Sequence, residues 1–212
     1  MIKLTKLEKP DILKDHAVEW SQILLARLAA NSKPSDTEKN RYRHPEIKSV
    51  LIEETNGKCA YCESKLLHIA YGDIEHVIPK STKAEFAFEW DNLTLACDVC
   101  NTNKSDKFSF GVGFIDPYLK DPAEHFYFLG PIVYAKPGDA DARLTEETLK
   151  LNRPELVERR SQRMRYLRDQ VEVIRHAPAH LRDTLIQVLN EEADADKEYA
   201  AIAKVCIRTL LS

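Results

Sequence analysis

The stretch of sequence that decides the fold runs from Cys59 to Lys104. It reads CAYCESKLLHIAYGDIEHVIPKSTKAEFAFEWDNLTLACDVCNTNK, with one Cys-x-x-Cys pair at its start and a second near its end. Each pair forms a tight turn that directs two thiolates to one point, and four thiolates complete a tetrahedral shell around zinc. We therefore predict a structural zinc site with four ligands: Cys59, Cys62, Cys97 and Cys100.

Composition and charge limit the classes of protein that the chain can be. The sequence has 212 residues, 43% of them hydrophobic and 31% charged, which is typical of a globular protein. It has no apolar run of about 18 residues and no apolar leader, so we expect no membrane segment and no secretory signal. Four of the five cysteines are in the two pairs, which favours a bacterial cytoplasmic location over a disulfide scaffold. The net charge of -3 argues against a strong nucleic-acid binder acting alone.

Hydrophobic spacing predicts helices before the first cysteine pair and a small sheet between the pairs. We expect helices over residues 10–30 and 45–55, the second ended by Asn56-Gly57. A strand is predicted over 71–78, and a second strand or an extended turn over 90–96. A helix that begins near Cys97 would place Cys97, Cys100, Asn101 and Lys104 on one face.

The segment between the cysteine pairs contains residues suited to phosphodiester hydrolysis. A neutral histidine such as His76 is suited to take a proton from water near pH 7. A divalent ion held by carboxylate and amide oxygens stabilises charge on the phosphate, and Glu75 and Asn101 would supply such oxygens. Lys104, one turn beyond Asn101, is predicted to meet a phosphate. The zinc site, closed by four protein ligands, would be purely structural.

The remainder of the chain carries weaker signals. Residues 111–150 are predicted to form short strands and turns, in which His125 is expected to be a hydrogen-bonded structural residue. A helix is predicted from Asn152, as N-cap, to His176. Its arginines could follow a nucleic-acid backbone or could pair with the acidic residues of the same helix, and the second alternative is favoured. Two further helices, over 181–190 and 195–211, would be core or a partner-docking surface.

The central motifs resemble those of the HNH endonucleases, which have the ββα-metal, treble-clef-like fold. The resemblance rests on Cys59-x-x-Cys62, Glu75-His76-Val-Ile-Pro79, Asn92-Leu93 and Cys97-x-x-Cys100-Asn101-x-x-Lys104. It implies that His76 is the general base, that Glu75 and Asn101 bind the catalytic ion, and that Asn92 orders the loop and orients the base. Asp73, on the same strand face as Glu75, is a possible additional ligand. Asn101 in place of the frequent histidine favours Mg²⁺ or Mn²⁺ over zinc at that site.

A wider resemblance reaches the PtuB family, the HNH subunits of Septu anti-phage defence systems, which are also found with some retrons. It is carried by Glu46–Leu51 with Asn56–Glu63, by Ile115-Asp-Pro117 with Asp121–His125, and by Leu151–Arg159. It implies a PtuA-type ATPase of the SMC/ABC kind as a partner. A retron reverse transcriptase with its RNA–DNA product is a further possible partner.

The sequence thus predicts an α+β protein in which an HNH core with a four-cysteine zinc site is set in a mainly helical frame. The predicted segments are helical 1–57, nuclease core 58–110, strands and turns 111–150, and helical 151–212. DNA is the favoured substrate, with Lys80, Lys104, Arg160 and Arg163 as nucleic-acid contacts. The alternatives are a nuclease that cleaves RNA such as tRNA, a non-catalytic treble-clef module that binds nucleic acid or protein, and a metal-dependent hydrolase of another substrate.

Overall fold

The computed structural model describes residues 1–66, 71–107 and 113–212. The chain folds into helices with two small antiparallel hairpins, and the α+β prediction is confirmed. No helix within these ranges is both long and apolar enough to cross a membrane. In chain order the helices and strands are α1 Asp11–Ala29, α2 Asp36–Asn40, α3 Pro45–Glu54, β1 Asp73–His76, β2 Leu93–Ala96, α4 Asp98–Lys104, α5 Pro122–His125, β3 Phe126–Leu129, β4 Ile132–Ala135, α6 Ala140–Thr148, α7 Pro154–His176, α8 Ala179–Glu191 and α9 Ala200–Leu211.

The two predicted N-terminal helices are present as α1 and α3. Pro45 is the first residue of α3, where its missing N–H costs nothing. The helix ends because Asn56 and Gly57 take left-handed backbone angles, with φ of 52° and 66°. Between the two helices, a capping box at Ser35 begins α2, and a 3-10 turn, Arg41–Arg43, leads into α3. Neither of these two short elements is predicted by the hydrophobic spacing.

The central hairpin and the helix after it form the predicted ββα unit. β1 pairs antiparallel with β2, with Asp73 opposite Ala96 and His76 opposite Leu93. Both strands are shorter than predicted, because Trp90–Asn92 forms a 3-10 turn and the chain turns after His76. α4 begins at Asp98, and its N-cap is Cys97, whose sulfur accepts a hydrogen bond from the backbone of Cys100. β2 therefore leads directly into α4, whose first turn carries the second cysteine pair.

The segment predicted to contain only strands and turns also contains helix. β3 and β4 pair as a hairpin, but residues 140–148 form α6, whose first turn is capped by the carboxylate of Asp139. The same Asp139 carboxylate lies 2.6 Å from Nδ1 of His125, which confirms His125 as a hydrogen-bonded structural residue. Gly111 and Val112, at the start of the predicted segment, lie outside the described residues.

The long C-terminal helix begins differently from the prediction. Arg153, and not Asn152, is the N-cap of α7. The Asn152 side chain instead accepts a bond from the Val133 amide (2.9 Å) and donates one to the Val133 carbonyl (2.7 Å), so it joins this turn to β4. A side chain that is fully used in a tertiary contact is unavailable to cap the adjacent helix.

Most of the protein shares one hydrophobic core. It contains side chains from α1, α3, both hairpins, α6 and the start of α7, together with all four paired cysteines. The far end of α7 packs with α8 and α9 around a second, smaller cluster that includes Cys206. The N-terminal segment is also attached to the central hairpin. Lys6 donates to the Leu93 carbonyl at 2.6 Å, and its ammonium lies 3.8 Å from the centre of the Trp90 ring.

Candidate active site and metal centre

The four paired cysteines come together in the fold. Their sulfur atoms all lie within 4.8 Å of one another, and Cys62 and Cys97 are separated by 3.9 Å. A tetrahedral ion with Zn–S bonds of about 2.3 Å would place its sulfur ligands roughly 3.8 Å apart. All four side chains are buried. The cluster could therefore hold a metal ion, and its dimensions fit the zinc that the sequence predicts.

Two elements position this cluster from opposite directions. The left-handed turn after α3 presents Cys59 and Cys62, and the amide of Ala60 bonds to the Leu95 carbonyl of β2 at 2.9 Å. The start of α4 presents the other two sulfurs. Hydrogen bonds from neighbouring thiols, that of Cys100 first, hold the pKa of the Cys62 thiol well below its usual range. Burial raises the pKa of the Cys59 thiol, so the four thiols differ in pKa, and each would bind a metal ion as its thiolate.

Arg153, which the sequence analysis did not select, lies against the sulfur cluster. Its guanidinium donates to the sulfur of Cys100 at 3.7 Å and to that of Cys97 at 3.9 Å. Four thiolates around a divalent ion carry a net charge of -2, so a partly buried guanidinium next to them offsets part of that charge. Sequence spacing gave no signal of this contact, because the arginine is more than 50 residues away along the chain.

The alternation of β1 divides its polar residues between two directions. Asp73 and Glu75 contact residues of α4, whereas His76 contacts the loop between the strands. The Asn101 amide donates to Asp73 Oδ2 at 3.1 Å, and Lys104 Nζ donates to Glu75 Oε1 at 2.6 Å. Two acidic side chains of the strand thus meet two polar side chains of the helix.

Lys104 is not the surface phosphate contact that was predicted. Its side chain is fully buried, and its ammonium also donates to the His76 carbonyl at 2.8 Å. Burial raises the pKa of the Glu75 carboxyl, and the positive charge of Lys104 opposes that rise. The helical stripe correctly placed Lys104 on the face toward the site. The stripe could not predict how deeply the Lys104 side chain is buried, because burial depends on the elements that pack over the helix.

His76 has the environment expected of a proton acceptor. Its Nε2 lies 3.0 Å from the Ala87 carbonyl, which fixes the hydrogen on Nε2 and leaves Nδ1 as the acceptor. Burial lowers the pKa of His76 to about 4, so the ring is neutral near pH 7. Among the described residues, none forms a hydrogen bond with Nδ1. The Tyr42 ring packs edge-on against the imidazole, with 4.5 Å between ring centres.

Asn92 forms hydrogen bonds within the loop that carries Ala87. Its amide oxygen accepts from the Ile78 amide at 2.7 Å, and its nitrogen donates to the carbonyls of Ile78 and Phe86 at 3.0 and 3.1 Å. These bonds connect Asn92 to Ile78 and Phe86, two points in the loop between β1 and β2. Phe86 directly precedes Ala87, whose carbonyl bonds to the His76 ring, so Asn92 is connected to His76 through the backbone of this loop.

These residues line a cleft of about 370 Å³ at the edge of the central hairpin. Asp73, Glu75, His76 and Asn101 all contribute to its wall, together with Lys80. The 3-10 turn before α3 contributes two further residues, Tyr42 and Arg43, which sequence analysis missed. The basic and aromatic run Arg41-Tyr-Arg43 was the available signal.

The two predicted arginine contacts are not at this cleft. Arg160 is 2% exposed, and its guanidinium donates to the Leu151 carbonyl at 2.7 Å. Arg163 donates to the Glu192 backbone carbonyl at 3.0 Å and forms an ion pair with the Glu192 carboxylate. Both side chains join structural elements of the C-terminal region, and the buried Arg160 cannot meet a phosphate. Of the four predicted nucleic-acid contacts, Lys80 alone lines the cleft.

The oxygen donors of the cleft suit a hard divalent ion. Carboxylates and an amide oxygen are the ligands that Mg²⁺ and Mn²⁺ prefer, and Asp73, Glu75 and Asn101 all face one space. Across residues 1–66, 71–107 and 113–212, the four cysteines are the one group of at least three His, Cys, Asp or Glu side chains whose ligand atoms converge. A catalytic ion here would therefore depend on the Asn101 amide to complete its protein ligands.

Comparison with known proteins gives a consistent result. Residues 59–107 match the family model for the HNH endonuclease. The chain is 33% identical to the Septu protein PtuB of Bacillus thuringiensis over 51% of this chain and 42% of that protein. It is 26% identical to the Septu protein PtuB of Bacillus mycoides (strain KBAB4) over 76% of this chain and 66% of that protein. The chain thus covers less than two thirds of the length of each relative.

The matched region contains the sulfur cluster, the hairpin and α4, with His76 facing the cleft. Residues 59–107 therefore form a region that matches the HNH endonuclease family, and the chain is similar to the Septu protein PtuB over part of its length.

Proposed function

We propose that this chain is the nuclease subunit of a Septu-type anti-phage defence complex and that it cleaves DNA. The observation that carries the proposal is the environment of His76. A neutral imidazole, held through Nε2 by the Ala87 carbonyl, has its Nδ1 without a partner among the described residues, beside a cleft of oxygen donors.

In this mechanism His76 is the general base. A water molecule in the cleft donates a hydrogen bond to Nδ1, and the imidazole takes its proton as the oxygen attacks phosphorus. The bond to Ala87 keeps the ring in one tautomer and one orientation, so the acceptor atom needs no rearrangement before the reaction. Asn92 contributes by fixing the loop that carries Ala87.

Asp73, Glu75 and Asn101 are the proposed ligands of the catalytic ion. Mg²⁺ or Mn²⁺ bound there would stabilise negative charge on the phosphate and on the departing oxygen. Glu75 shares one oxygen with Lys104, and a carboxylate has about four acceptor sites, so the ion pair does not exhaust it. Asp73 is exposed and accepts a hydrogen bond from the Asn101 amide. This contact supports Asp73 as a main ligand of the ion and not merely an additional one.

The four cysteines are proposed to hold a structural zinc ion. The cluster joins the turn after α3 to the start of α4, and so it fixes the position of Asn101 relative to β1. Four protein ligands leave no open position for substrate. This assigns separate tasks to the two metal sites, one for folding and one for hydrolysis.

The proposed partner is a PtuA-type ATPase of the SMC/ABC kind, as the similarity to PtuB suggests. A retron reverse transcriptase with its RNA–DNA product is a further proposed partner, and the proposed location is the bacterial cytoplasm. Dependence on an ATPase would explain how a chain of net charge -3 engages a polyanion.

The first experiment compares His76→Ala with the wild type and with His180→Ala, whose ring is exposed on α8. Each protein is incubated with plasmid DNA or total tRNA, with Mg²⁺ or Mn²⁺, and with or without the ATPase. We expect His76→Ala to cut DNA about 10²- to 10⁴-fold more slowly and His180→Ala to match the wild type. Cleavage of tRNA alone would overturn the DNA assignment. No cleavage in any condition by a folded, zinc-loaded wild type would favour a non-catalytic binding module.

A further inference from the structure

The 3-10 turn Arg41–Arg43 belongs to the candidate site although it lies outside the matched HNH domain. Tyr42 is only 5% exposed, and its ring meets the His76 imidazole at an interplanar angle of 73°. Edge-to-face contacts of this kind are geometrically selective, so the tyrosine restricts the rotamer of the histidine. The turn between α2 and α3 therefore forms one wall of the cleft.

Two cations pack around the same tyrosine. Lys80 Nζ lies 4.0 Å from the centre of the Tyr42 ring. The Arg43 guanidinium lies 5.7 Å from that centre, and its Nε donates to the tyrosine hydroxyl at 3.3 Å. Both cations line the cleft together with His76. The aromatic ring thus holds a lysine and an arginine at the same opening.

Neither cation is neutralised by the protein. Within the described part of the chain, neither Arg43 nor Lys80 forms an ion pair, whereas Lys104, in the same region, is paired with Glu75. Arg43 is also exposed. An arginine fork and a lysine ammonium that pack on one ring and form no ion pair are suited to bind a phosphate.

The low overall charge strengthens this interpretation. With a net charge of -3, the chain has no general attraction for nucleic acid, so the phosphate contacts must be local. Arg160, Arg163 and Lys104 are all engaged within the protein. That leaves the cations at the cleft opening as the candidates nearest to His76.

We propose that Arg43 and Lys80, both held by the Tyr42 ring, form a phosphate clamp that binds the nucleic-acid backbone next to His76. This inference rests on the proposed nuclease function. Tyr42 is a positioning residue, because it acts through the imidazole on one side and through the two cations on the other. Arg43 and Lys80 contact the substrate backbone directly.

The test measures binding of a labelled DNA duplex at several salt concentrations, without added Mg²⁺ or Mn²⁺ so that the DNA stays intact. We expect Arg43→Ala and Lys80→Ala each to lower the slope of log affinity against log salt by about 1. Lys83→Ala is the matched control, because Lys83 also packs on an aromatic ring, that of Phe86, but does not line the cleft. We expect its affinity and slope to equal those of the wild type.

A second pair of variants tests the role of Tyr42 in cleavage. Tyr42→Leu removes the ring and is expected to weaken DNA binding and to lower kcat, since both the clamp and the His76 orientation are lost. Tyr42→Phe keeps the ring and is expected to have a higher kcat than Tyr42→Leu. It loses only the hydrogen bond between Arg43 and the tyrosine hydroxyl. Thermal unfolding and zinc content establish that each variant is folded. Equal kcat for the two folded variants would overturn the positioning role.

The outcomes separate this inference from the proposed function. DNA binding with an unchanged salt slope in both Arg43→Ala and Lys80→Ala would overturn the clamp, even if cleavage still required His76. A lowered slope in these two variants, with cleavage that does not require His76, would support the clamp and overturn the proposed mechanism. Absence of DNA binding at low salt, by the wild-type chain alone and together with the ATPase, would overturn both.

Discussion

At the scale of single residues, the candidate site depends on which side chain faces which neighbour across the central hairpin. Glu75 and His76 are adjacent in sequence but point to different surroundings, the first to Lys104 and the second to Ala87. A strand achieves this separation because consecutive side chains alternate. A carboxylate and a neutral imidazole can therefore be adjacent along the chain without forming an ion pair with each other.

The buried Glu75–Lys104 pair gives a prediction about stability. Lys104→Met removes the ammonium and leaves the carboxylate buried without its cation, which should lower the free energy of unfolding by about 3–5 kcal/mol. The double variant Glu75→Gln with Lys104→Met should lose less than the single variant, since neither charge is then left unpaired. Urea unfolding of the four proteins of this cycle measures both effects. Equal stability of wild type and Lys104→Met would contradict the structural role of the pair.

Asn101 gives a prediction about metal binding. Asn101→Ala should leave the fold intact, because the residue is half-buried and bonds to the exposed Asp73. It should raise the Mn²⁺ concentration needed for half-maximal cleavage, on the order of tenfold or more, by removing an oxygen ligand. Asn103→Ala, two residues further on α4 and not part of the cleft, is the control. Full cleavage by Asn101→Ala at limiting Mn²⁺ would show that its assigned role is wrong.

At the scale of elements, the HNH domain is completed by segments from outside it. The turn before α3 supplies Tyr42 and Arg43 to the cleft, and the start of α7 supplies Arg153 to the sulfur cluster. The first contact reaches the cleft of the domain, and the second reaches its four sulfur atoms. The helical frame therefore contributes to the site as well as to the core.

Arg153 gives the prediction that belongs to this scale. Arg153→Met should weaken zinc retention about tenfold, because the thiolates lose the nearby positive charge and two weak donors. The measurement is transfer of zinc to a coloured chelator, in competition with the folded protein. Arg159→Met is the matched control, since Arg159 lies on the same helix and is exposed. Identical zinc retention in both variants would contradict the proposed contact.

At the scale of the whole molecule, the sulfur cluster joins the candidate site to the main core. The four cysteines pack with residues from α1, α3, both hairpins and α7, so loss of the metal would disturb more than the nearby turn. Metal binding of this kind contributes directly to the free energy of folding. The C-terminal cluster of α7, α8 and α9 is separate and has its own buried residues.

Cys59→Ser tests this dependence. We expect it to lose zinc and to unfold at a much lower temperature than the wild type, because a four-ligand site loses a ligand in the centre of the main core. Cys206→Ser is the control, since Cys206 lies in the C-terminal cluster and not in the sulfur cluster. Thermal unfolding and zinc content by mass spectrometry give the result. A zinc-free Cys59→Ser protein with the wild-type unfolding temperature would contradict the structural role of the metal.

The sequence by itself determined the local and periodic features of this protein. The spacing of Cys59, Cys62, Cys97 and Cys100 predicted the cluster, and the periodicity predicted the hairpin, α4 and the shared direction of Asp73 and Glu75. Each of these follows from a few neighbouring residues and from the geometry of a single element.

Only the tertiary structure decided which charges are buried and which distant segments reach the site. Lys104 and Arg160 look like surface cations in the sequence, yet both are buried because other elements pack over them. Tyr42 and Arg153 come from segments outside the central stretch, and no spacing rule connects them to His76 or to the cysteines. The physical reason is that depth and long-range contact depend on how all the elements pack together, whereas a sequence pattern reports only the direction of a side chain within its own element.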